Sequence, residues 1–212
     1  MKTPSDHDET RPRQYLPAEE RRDETARAVV DLAAEQNPNG ISTKAIAEKM
    51  GVTQGALFRH FPNKEAIFAG VVQWVARRLM KRIDAAIRPI DSPLAKLETM
   101  FHAHVGFVTE HPGVPRMMFG ELQHAGDRLP KRLVRELIGR YTDKVAGLLR
   151  AGQQCGEVDP KLDIEAAASL FIGTIQGLVM QSLIVGDAEL VRARAPGAFE
   201  IYRRGIARRL AR

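Results

Sequence analysis

A short stretch near the N-terminus, "VTQGALFRHF" at 52–61, combines hydrogen-bonding side chains with very small ones. Thr53 and Gln54 can reach base edges or phosphates, and a glutamine amide can pair with adenine through two hydrogen bonds. Gly55 and Ala56 permit a close approach, and the alanine methyl can touch a thymine methyl. These residue types favour the recognition of base edges in a DNA groove.

Polar residues on either side of this stretch could hold the DNA backbone. Lys64 precedes an amphipathic segment whose helical N-terminus would attract an anion such as a phosphate. Thr43, Lys44 and His60 are placed to contact phosphates in the same way. The residues expected to contact DNA are Ser42, Thr43, Lys44, Thr53, Gln54, Gly55, Ala56, Phe58, Arg59, His60 and Lys64.

The pattern around these residues predicts a helix-turn-helix. Ala47 supplies a small residue where two helices cross, and Gly51 supplies a turn in which positive φ is easily adopted. Ile46, Leu57 and Phe61, together with Val52, would fill a small core beneath the helix pair. The second helix would then lie in the DNA major groove. An ordinary helical hairpin with a solvated polar face is the alternative.

Helical periodicity continues along the whole chain, with no alternating strand pattern. The polar, proline-containing residues 1–17 predict a disordered arm, and the first helix begins near Pro17 or Ala18. Further helices are predicted at about 43–50, 54–60, 63–86, 93–110, 129–154, 164–185 and 187–212, with a short one ending near His124. The fold class is therefore all-α.

Positive charge is concentrated near the predicted helix-turn-helix. The chain has 212 residues and a formal net charge of +6 at pH 7. Residues 40–90 hold nine basic and three acidic side chains, whereas residues 19–39 hold three basic and six acidic ones. A polyanionic partner is one explanation, and a solvated basic face is the other.

The segment "IAEKMGVTQGALFRHFPNKEAIF" resembles the DNA-binding signature of the tetracycline-repressor (TetR) family. The matching elements include Gly51-Val52-Thr53, His60-Phe61 and Lys64-Glu65, in uninterrupted order. The resemblance implies a recognition helix at Thr53–His60. The family often has Tyr at the position of Phe58, and that phenol commonly meets a phosphate. Phe58 cannot donate that hydrogen bond, so only ring packing on the DNA backbone is expected of it.

The resemblance also implies an architecture of about nine helices. Residues 18–66 would form a three-helix DNA-binding domain, and residues 67–212 would form a larger helical bundle for ligand binding and dimerisation. The helix at about 64–86 would link the two. Family members are mostly homodimeric repressors that read a palindromic operator and release it when a small molecule enters the larger domain.

A ligand pocket is expected between the helices of the larger domain, because bundles bind ligands between facing helices. An apolar or amphipathic ligand suits its Met-, Phe- and Leu-rich composition. The candidate lining is Leu97, Phe101, His104, Phe107, Met118, Leu122, Phe171 and Ile175. Plain hydrophobic core is the alternative for each of them.

The segment 164–185 is apolar almost all round, so it must be buried on most faces. A monomeric bundle could bury it, whereas the resemblance implies packing against a second copy across a two-fold axis. The residues expected at such an interface are Gly173, Gly177, Met180 and Gln181.

Histidine and cysteine chemistry gives weaker signals. His102, His104, His111 and His124 fall close together, but no carboxylate or thiolate lies at a metal-ligand spacing. No metal or other cofactor is therefore expected, and His104 could instead be a polar anchor in an apolar pocket. Cys155 could be a redox sensor, but no neighbouring motif supports a reactive thiolate, and a structural role is the alternative.

The remaining features exclude several function classes. The chain has one cysteine, which fits a reducing compartment, and its N-terminus lacks the apolar core of a secretory signal. No run approaches a membrane span in length, so a cytoplasmic protein is expected. No nucleophile elbow, phosphate loop or paired carboxylates indicate an enzyme.

A transcriptional repressor of this family, released by a ligand, is the leading functional hypothesis. The alternative is an architectural or chromosome-organising protein on the same fold that binds DNA without any ligand.

Overall fold

The computed structural model describes residues 18–208, and the predicted arm at 1–17 lies outside them. Within the described part the chain forms nine α-helices and one 3₁₀ turn, Pro38–Gly40, which confirms the all-α prediction. The helices are α1 (Ala18–Glu35), α2 (Thr43–Lys49), α3 (Gln54–Phe58), α4 (Lys64–Ile87), α5 (Pro93–Glu110), α6 (Gly113–Gln123), α7 (Leu129–Cys155), α8 (Ile164–Val185) and α9 (Glu189–Ile206).

The first three helices, which we call the head (residues 18–58), form the predicted helix-turn-helix. Ser42 caps α2 by accepting a hydrogen bond from the Ala45 amide at 3.1 Å. Gly51, with φ of 63°, supplies the left-handed turn between α2 and α3. A side chain would be strained at that backbone conformation, which explains the glycine. Beneath the pair, Ile46 and Leu57 are buried as predicted.

Helix α4 connects the head to the rest of the molecule. It has 24 residues, and Asn63 caps it by accepting a hydrogen bond from the Ala66 amide at 2.8 Å. At 1.5 Å per residue it is about 36 Å long. It packs on α1 of the head and, further along, on α5 and α7. The expected domain boundary at 66–67 falls inside its first turn.

Helix α6 approaches α1 very closely. A Cβ atom built on Gly113 would lie 1.8 Å from the carbonyl oxygen of Val30 and 2.9 Å from the amide of Ala34. Only glycine allows α6 to begin against the backbone of α1. The head and the helices beyond it therefore share one continuous hydrophobic core.

Helix α8 contradicts the prediction that no run approaches the length of a membrane span. By length and composition its 22 residues are long and apolar enough to span one, with a mean hydropathy of 1.6. A single helix of this kind is weak evidence for a membrane, because a core helix passes the same test. In the fold α8 packs on α7 and α9.

Part of α8 and α9 is left uncovered by the chain. Leu170, Ile184 and Val185 on α8 are 59%, 78% and 67% exposed, and Ile201 on α9 is 75% exposed. The sequence predicts burial on most faces for 164–185, and a single protomer does not provide it.

Replacing Gly113 by alanine should destabilise the protein, because the new methyl group would meet the Val30 carbonyl. We expect a loss of about 3 kcal/mol in the free energy of unfolding, near the upper end of overpacking effects. Gly139 is the matched control, because nothing lies within 4 Å of a Cβ at that helical position. Its replacement by alanine should stabilise by about 0.5–1 kcal/mol. Equal urea midpoints for the two variants would contradict the close α1–α6 contact.

Candidate DNA interface and ligand cavity

Short side chains order the start of α3. The Thr53 hydroxyl oxygen accepts a hydrogen bond from the Ala56 amide at 3.2 Å. Its own O–H remains free to donate, and the same is true of Ser42 at the start of α2. Both caps therefore present hydroxyl donors suited to phosphate oxygens.

Gln54 is linked to α2 in the free protein. Its Nε2 donates a hydrogen bond to Thr43 Oγ1 over 2.9 Å. This bond joins the first residue of α3 to the first residue of α2. The amide oxygen and the second N–H of Gln54 remain available for a base edge.

The rest of α3 and the two residues that follow it present a mixed surface. Gly55 and Arg59 are exposed, Ala56 and His60 are half-buried, and Phe58 is 42% exposed. Arg59 has no ion-pair partner among residues 18–208. An exposed phenylalanine ring at this position fits packing against a sugar-phosphate backbone.

Two lysines flank the helix pair. Lys64 Nζ donates to the carbonyl oxygen of Asn39 at 3.3 Å and lies 5.3 Å from the centre of the Phe68 ring. Lys44 forms an exposed ion pair with Glu48 at 3.8 Å. The structure thus places the eleven residues expected to contact DNA on or directly beside α2 and α3 and at the start of α4. Their contact with DNA remains a prediction.

A cavity of about 120 Å³ lies behind α6, between it and helices α4, α5, α7 and α8. Five of the eight residues expected to line a pocket do line it. They are His104, Phe107, Met118, Leu122 and Ile175. The walls are almost entirely apolar, which suits an apolar or amphipathic occupant.

Three residues expected in the pocket lie elsewhere. Leu97, Phe101 and Phe171 are fully buried in solid core, outside the cavity. The Phe101 ring packs on Phe171 and Phe199, with ring centres 5.5 Å and 5.3 Å apart. Their apolar type and spacing did not distinguish core packing from a cavity wall.

Several other residues line the cavity that were not among those predicted. Val75 and Leu79 come from α4, which was expected to link the two domains rather than to line the pocket. Val134, Ile138 and Tyr141 come from one face of α7, at helical spacing. That spacing was a usable signal for α7, and Tyr141 was its most informative member because a buried phenol needs a partner.

The partner of Tyr141 is His104. Nδ1 of His104 lies 3.0 Å from the Tyr141 hydroxyl, so the two share a hydrogen bond inside the apolar cavity. Burial lowers the pKa of His104 to about 4. Burial raises the pKa of Tyr141. Both side chains are therefore neutral at physiological pH, and they give the cavity a neutral polar anchor.

A chain of contacts leads from the cavity to the start of α4, next to the head. Leu122 lines the cavity, and the preceding residue, Glu121, is buried, with Oε2 3.8 Å from Arg128 Nη1. Arg128 Nε lies 3.8 Å from Oε2 of Glu65 at the start of α4. The amide of Leu129 donates to Oε1 of Glu65 at 3.1 Å.

Within this series of contacts, Glu121 is the residue whose hydrogen bonding is incomplete. Its Oε2 has no hydrogen-bond partner within the described residues, and burial raises the pKa of its carboxyl, although Arg128 opposes this. An unsatisfied buried carboxylate is costly. A small shift of α6 or Arg128 would therefore change the energy of this junction.

The other histidines serve separate structural contacts. His102 packs on Phe101, and His111 packs on Trp74 and Phe107. Between residues 18 and 208, no group of three or more His, Cys, Asp or Glu side chains could hold a metal ion. The exposed Cys155 Sγ lies 3.5 Å from the Gly152 carbonyl oxygen.

The residues expected at a dimer interface lie on the uncovered side of α8. A Cβ built on Gly173 or Gly177 would find nothing within 4 Å. Met180 is 43% exposed, and Gln181 accepts a hydrogen bond from Arg194 on α9 at 2.7 Å. These glycines are not needed for packing inside one chain.

The fold and the polar surface of α3 define a helix-turn-helix DNA-binding protein. Residues 27–71 match the family of "Bacterial regulatory proteins, tetR family", and residues 93–196 match the "Tetracyclin repressor-like, C-terminal domain". The chain belongs to the TetR family and is a DNA-binding regulator.

Curated relatives include nucleoid occlusion factors named SlmA. The one from Alteromonas mediterranea is 31% identical over 131 residues, which cover 61% of this chain and 67% of the relative. The one from a Marinomonas species is 24% identical over 161 residues, covering 76% and 81%.

Solved structures with this fold include fatty-acid and steroid regulators. FadR from Bacillus subtilis, in complex with stearoyl-CoA, has a TM-score of 0.76 at 23% identity and covers 86% of this chain and 98% of its own. The ketosteroid regulator KstR2 of Mycobacterium tuberculosis has a TM-score of 0.72 at 19% identity, covering 89% and 96%. At these identities the similarity concerns the fold alone.

Replacing His104 by glutamine should make the protein less sensitive to acid. Between about pH 6.5 and 4 the unfolded chain binds a proton at this histidine that the folded chain does not, so stability falls as the pH is lowered. From pH 6.5 to 5 this costs about 2 kcal/mol. Between these two pH values the His104→Gln variant should therefore lose about 2 kcal/mol less of its free energy of unfolding than the unmodified chain. Urea unfolding at a fixed protomer concentration measures this difference.

His102→Gln, on the same helix, is the control for this comparison. It should retain the acid sensitivity of the unmodified chain. If the two variants respond identically to pH, a neutral buried His104 is ruled out.

Proposed function

We propose that the protein is a homodimeric transcriptional repressor. Each recognition helix, α3 with the flanking Thr53, Arg59 and His60, reads one half of a palindromic operator, and a small apolar or amphipathic ligand in the cavity releases the DNA. The observation that carries this proposal is the continuous contact from the cavity wall through α6 to the first turn of α4. It links a site for a small molecule to the surface that faces DNA.

The DNA-binding role of individual residues follows from their chemistry. In this proposal Gln54, Gly55 and Ala56 meet the base edges, because the Gln54 amide can pair with a base and the small size of Gly55 and Ala56 allows α3 to enter a major groove. The hydroxyls of Ser42 and Thr53 donate to phosphates. Lys44, Arg59 and Lys64, with Thr43 and His60 beside them, hold the backbone on both sides.

Dimerisation through α8 and α9 is supported by their uncovered apolar face. Leu170, Met180, Ile184 and Ile201 would be removed from water, and each fully buried side chain of this size contributes about 1.5–3 kcal/mol. Gly173 and Gly177 allow a second copy of α8 to approach closely. A two-fold axis would place the two recognition helices roughly 34–36 Å apart, one turn of DNA.

The cavity sets the kind of ligand. Its volume of about 120 Å³ is below the range of about 300–1,000 Å³ that holds drug-sized molecules. A larger occupant must therefore push its walls apart. Met118 and Leu122 on α6 are the movable side of the cavity, because Met side chains repack easily and Leu122 is already 37% exposed. A displaced α6 would disturb Arg128 and its contact with Glu65.

The remaining features complete this proposal. The protein acts on DNA in the cytoplasm, and its function is binding rather than catalysis. In this proposal residues 18–66 bind DNA, and residues 67–212 bind the ligand and form the dimer. Because the boundary falls within α4, this helix belongs to both domains.

A second candidate function is favoured by the curated relatives. Several are named nucleoid occlusion factors, so this chain could bind many chromosomal sites without any ligand. The small cavity fits this candidate too. The number of genomic sites distinguishes the two: a repressor has a few operators near particular genes, whereas an architectural protein has many sites spread along the chromosome.

Selection of bound sequences from a random duplex library tests the proposal. We expect a palindrome with half-sites about one turn apart. Gln54→Ala should lose the preference at one base position per half-site, at a cost of about 1–3 kcal/mol. Lys64→Ala should weaken binding to all sequences alike and lower the salt slope of log K by about 1.

Lys161→Ala, an exposed lysine far along the chain from α3, is the control and should bind like the unmodified protein. Sequence-independent binding, with random duplexes held as tightly as any selected one, would reject the proposal.

A further inference from the structure

The basic excess of residues 40–90 is not concentrated on α3. Five of its nine basic side chains lie on the second half of α4 or at its end, beyond the predicted DNA contacts. DNA recognition by the head therefore leaves much of this charge without a role.

Ion pairs account for part of it. Arg77 lies 2.5 Å and Arg78 3.7 Å from carboxylate oxygens of Asp23 on α1. Arg82 forms a bidentate salt bridge with Glu110 on α5. Lys81 and Arg88 remain, and neither has an ion-pair or hydrogen-bond partner among residues 18–208.

These two cations face a groove that α4 forms with α7. The two helices run in the same direction, because Glu65 meets Leu129 near the head and Asp84 pairs with Lys144 at 2.7 Å further on. The groove has a volume of about 650 Å³. Its apolar lining forms the floor and consists of the half-buried Ala76 and Leu133 and, beneath them, the buried Val72, Met80 and Leu137.

The rim of the groove is cationic. Arg140 on α7 lines it together with Lys81 and Arg88, and it too has no partner within the described part of the chain. Of the two acidic side chains on the rim, Asp84 is neutralised by Lys144, which leaves Glu136 as the opposing charge. The unpaired charge of the groove is therefore positive.

We propose that this α4–α7 groove is a docking site for an acidic amphipathic helix of another protein. The residues from Val72 to Arg88 span about 24 Å of α4, long enough for four turns of a third helix. Apolar residues of the partner at i, i+3 or i+4, and i+7 would cover the floor. Its Asp and Glu side chains would pair with Lys81, Arg88 and Arg140.

The shape of the groove favours this partner over nucleic acid. A DNA backbone needs cations but gains nothing from an apolar floor. The groove also lies apart from the recognition helix and from the uncovered face of α8 and α9. Docking therefore leaves the recognition helix and that face accessible, and it would let a DNA-bound regulator recruit a second protein.

Peptide selection on the full-length protein tests this docking site. A phage library of random 16-residue peptides is selected on the purified chain, and enriched peptides are synthesised with fluorescein for anisotropy measurements. We expect enrichment of Asp and Glu around apolar residues at helical spacing. Arg140→Glu should weaken their binding about tenfold, because a pairing cation becomes a repelling anion.

Lys161→Glu is the matched control, since it makes the same charge change at an exposed site outside the groove. It should change the affinity by less than about twofold. Circular dichroism should show both variants folded, and both should keep the DNA affinity of the unmodified chain.

Four outcomes would overturn the proposal. They are a selection that enriches no peptide, peptides insensitive to Arg140→Glu, peptides weakened equally by both variants, and random duplex DNA that competes for the same Arg140-dependent site.

Discussion

The close contact between α6 and α1 is the constraint on which the rest of the structure depends. Gly113 sets the start of α6 directly on the Val30 carbonyl, so this end of α6 cannot move independently of the head. The other side of α6 forms a cavity wall through Met118 and Leu122. Because protein interiors are close-packed, a ligand that displaced this wall would act on the head through α6.

The head could be predicted in detail because its determinants are local. Caps at Ser42 and Thr53 and a positive φ at Gly51 each follow from residue type and a spacing of a few positions. Most helix bounds were likewise close to those observed, since a cap, a glycine or a proline marks them. The last helix, predicted at 187–212, instead ends at Ile206, and its start at Ala188 has no side-chain cap. The recognition helix proved shorter than expected, ending at Phe58 instead of continuing to His60.

The cavity and the junction could be predicted only in part because they depend on long-range packing. Apolar residues such as Phe101 and Phe107 look alike in sequence, yet the first belongs to the aromatic core and the second to the cavity wall. The link between Glu65 and Arg128 joins residues 63 positions apart, and no local pattern marks it. The same limit applies to α8, whose apolar composition does not reveal which face another chain would cover.

Hydrogen–deuterium exchange with and without operator DNA tests the coupling between head and cavity most directly. Coupling is reciprocal, so DNA bound at the head must alter the cavity wall if the wall controls the head. We predict changed amide exchange in α6, Gly113–Gln123, and around Arg128, as well as in α2 and α3, with a scrambled duplex causing neither. Changes confined to residues 42–64 would contradict the account, since the cavity would then have no connection to DNA binding.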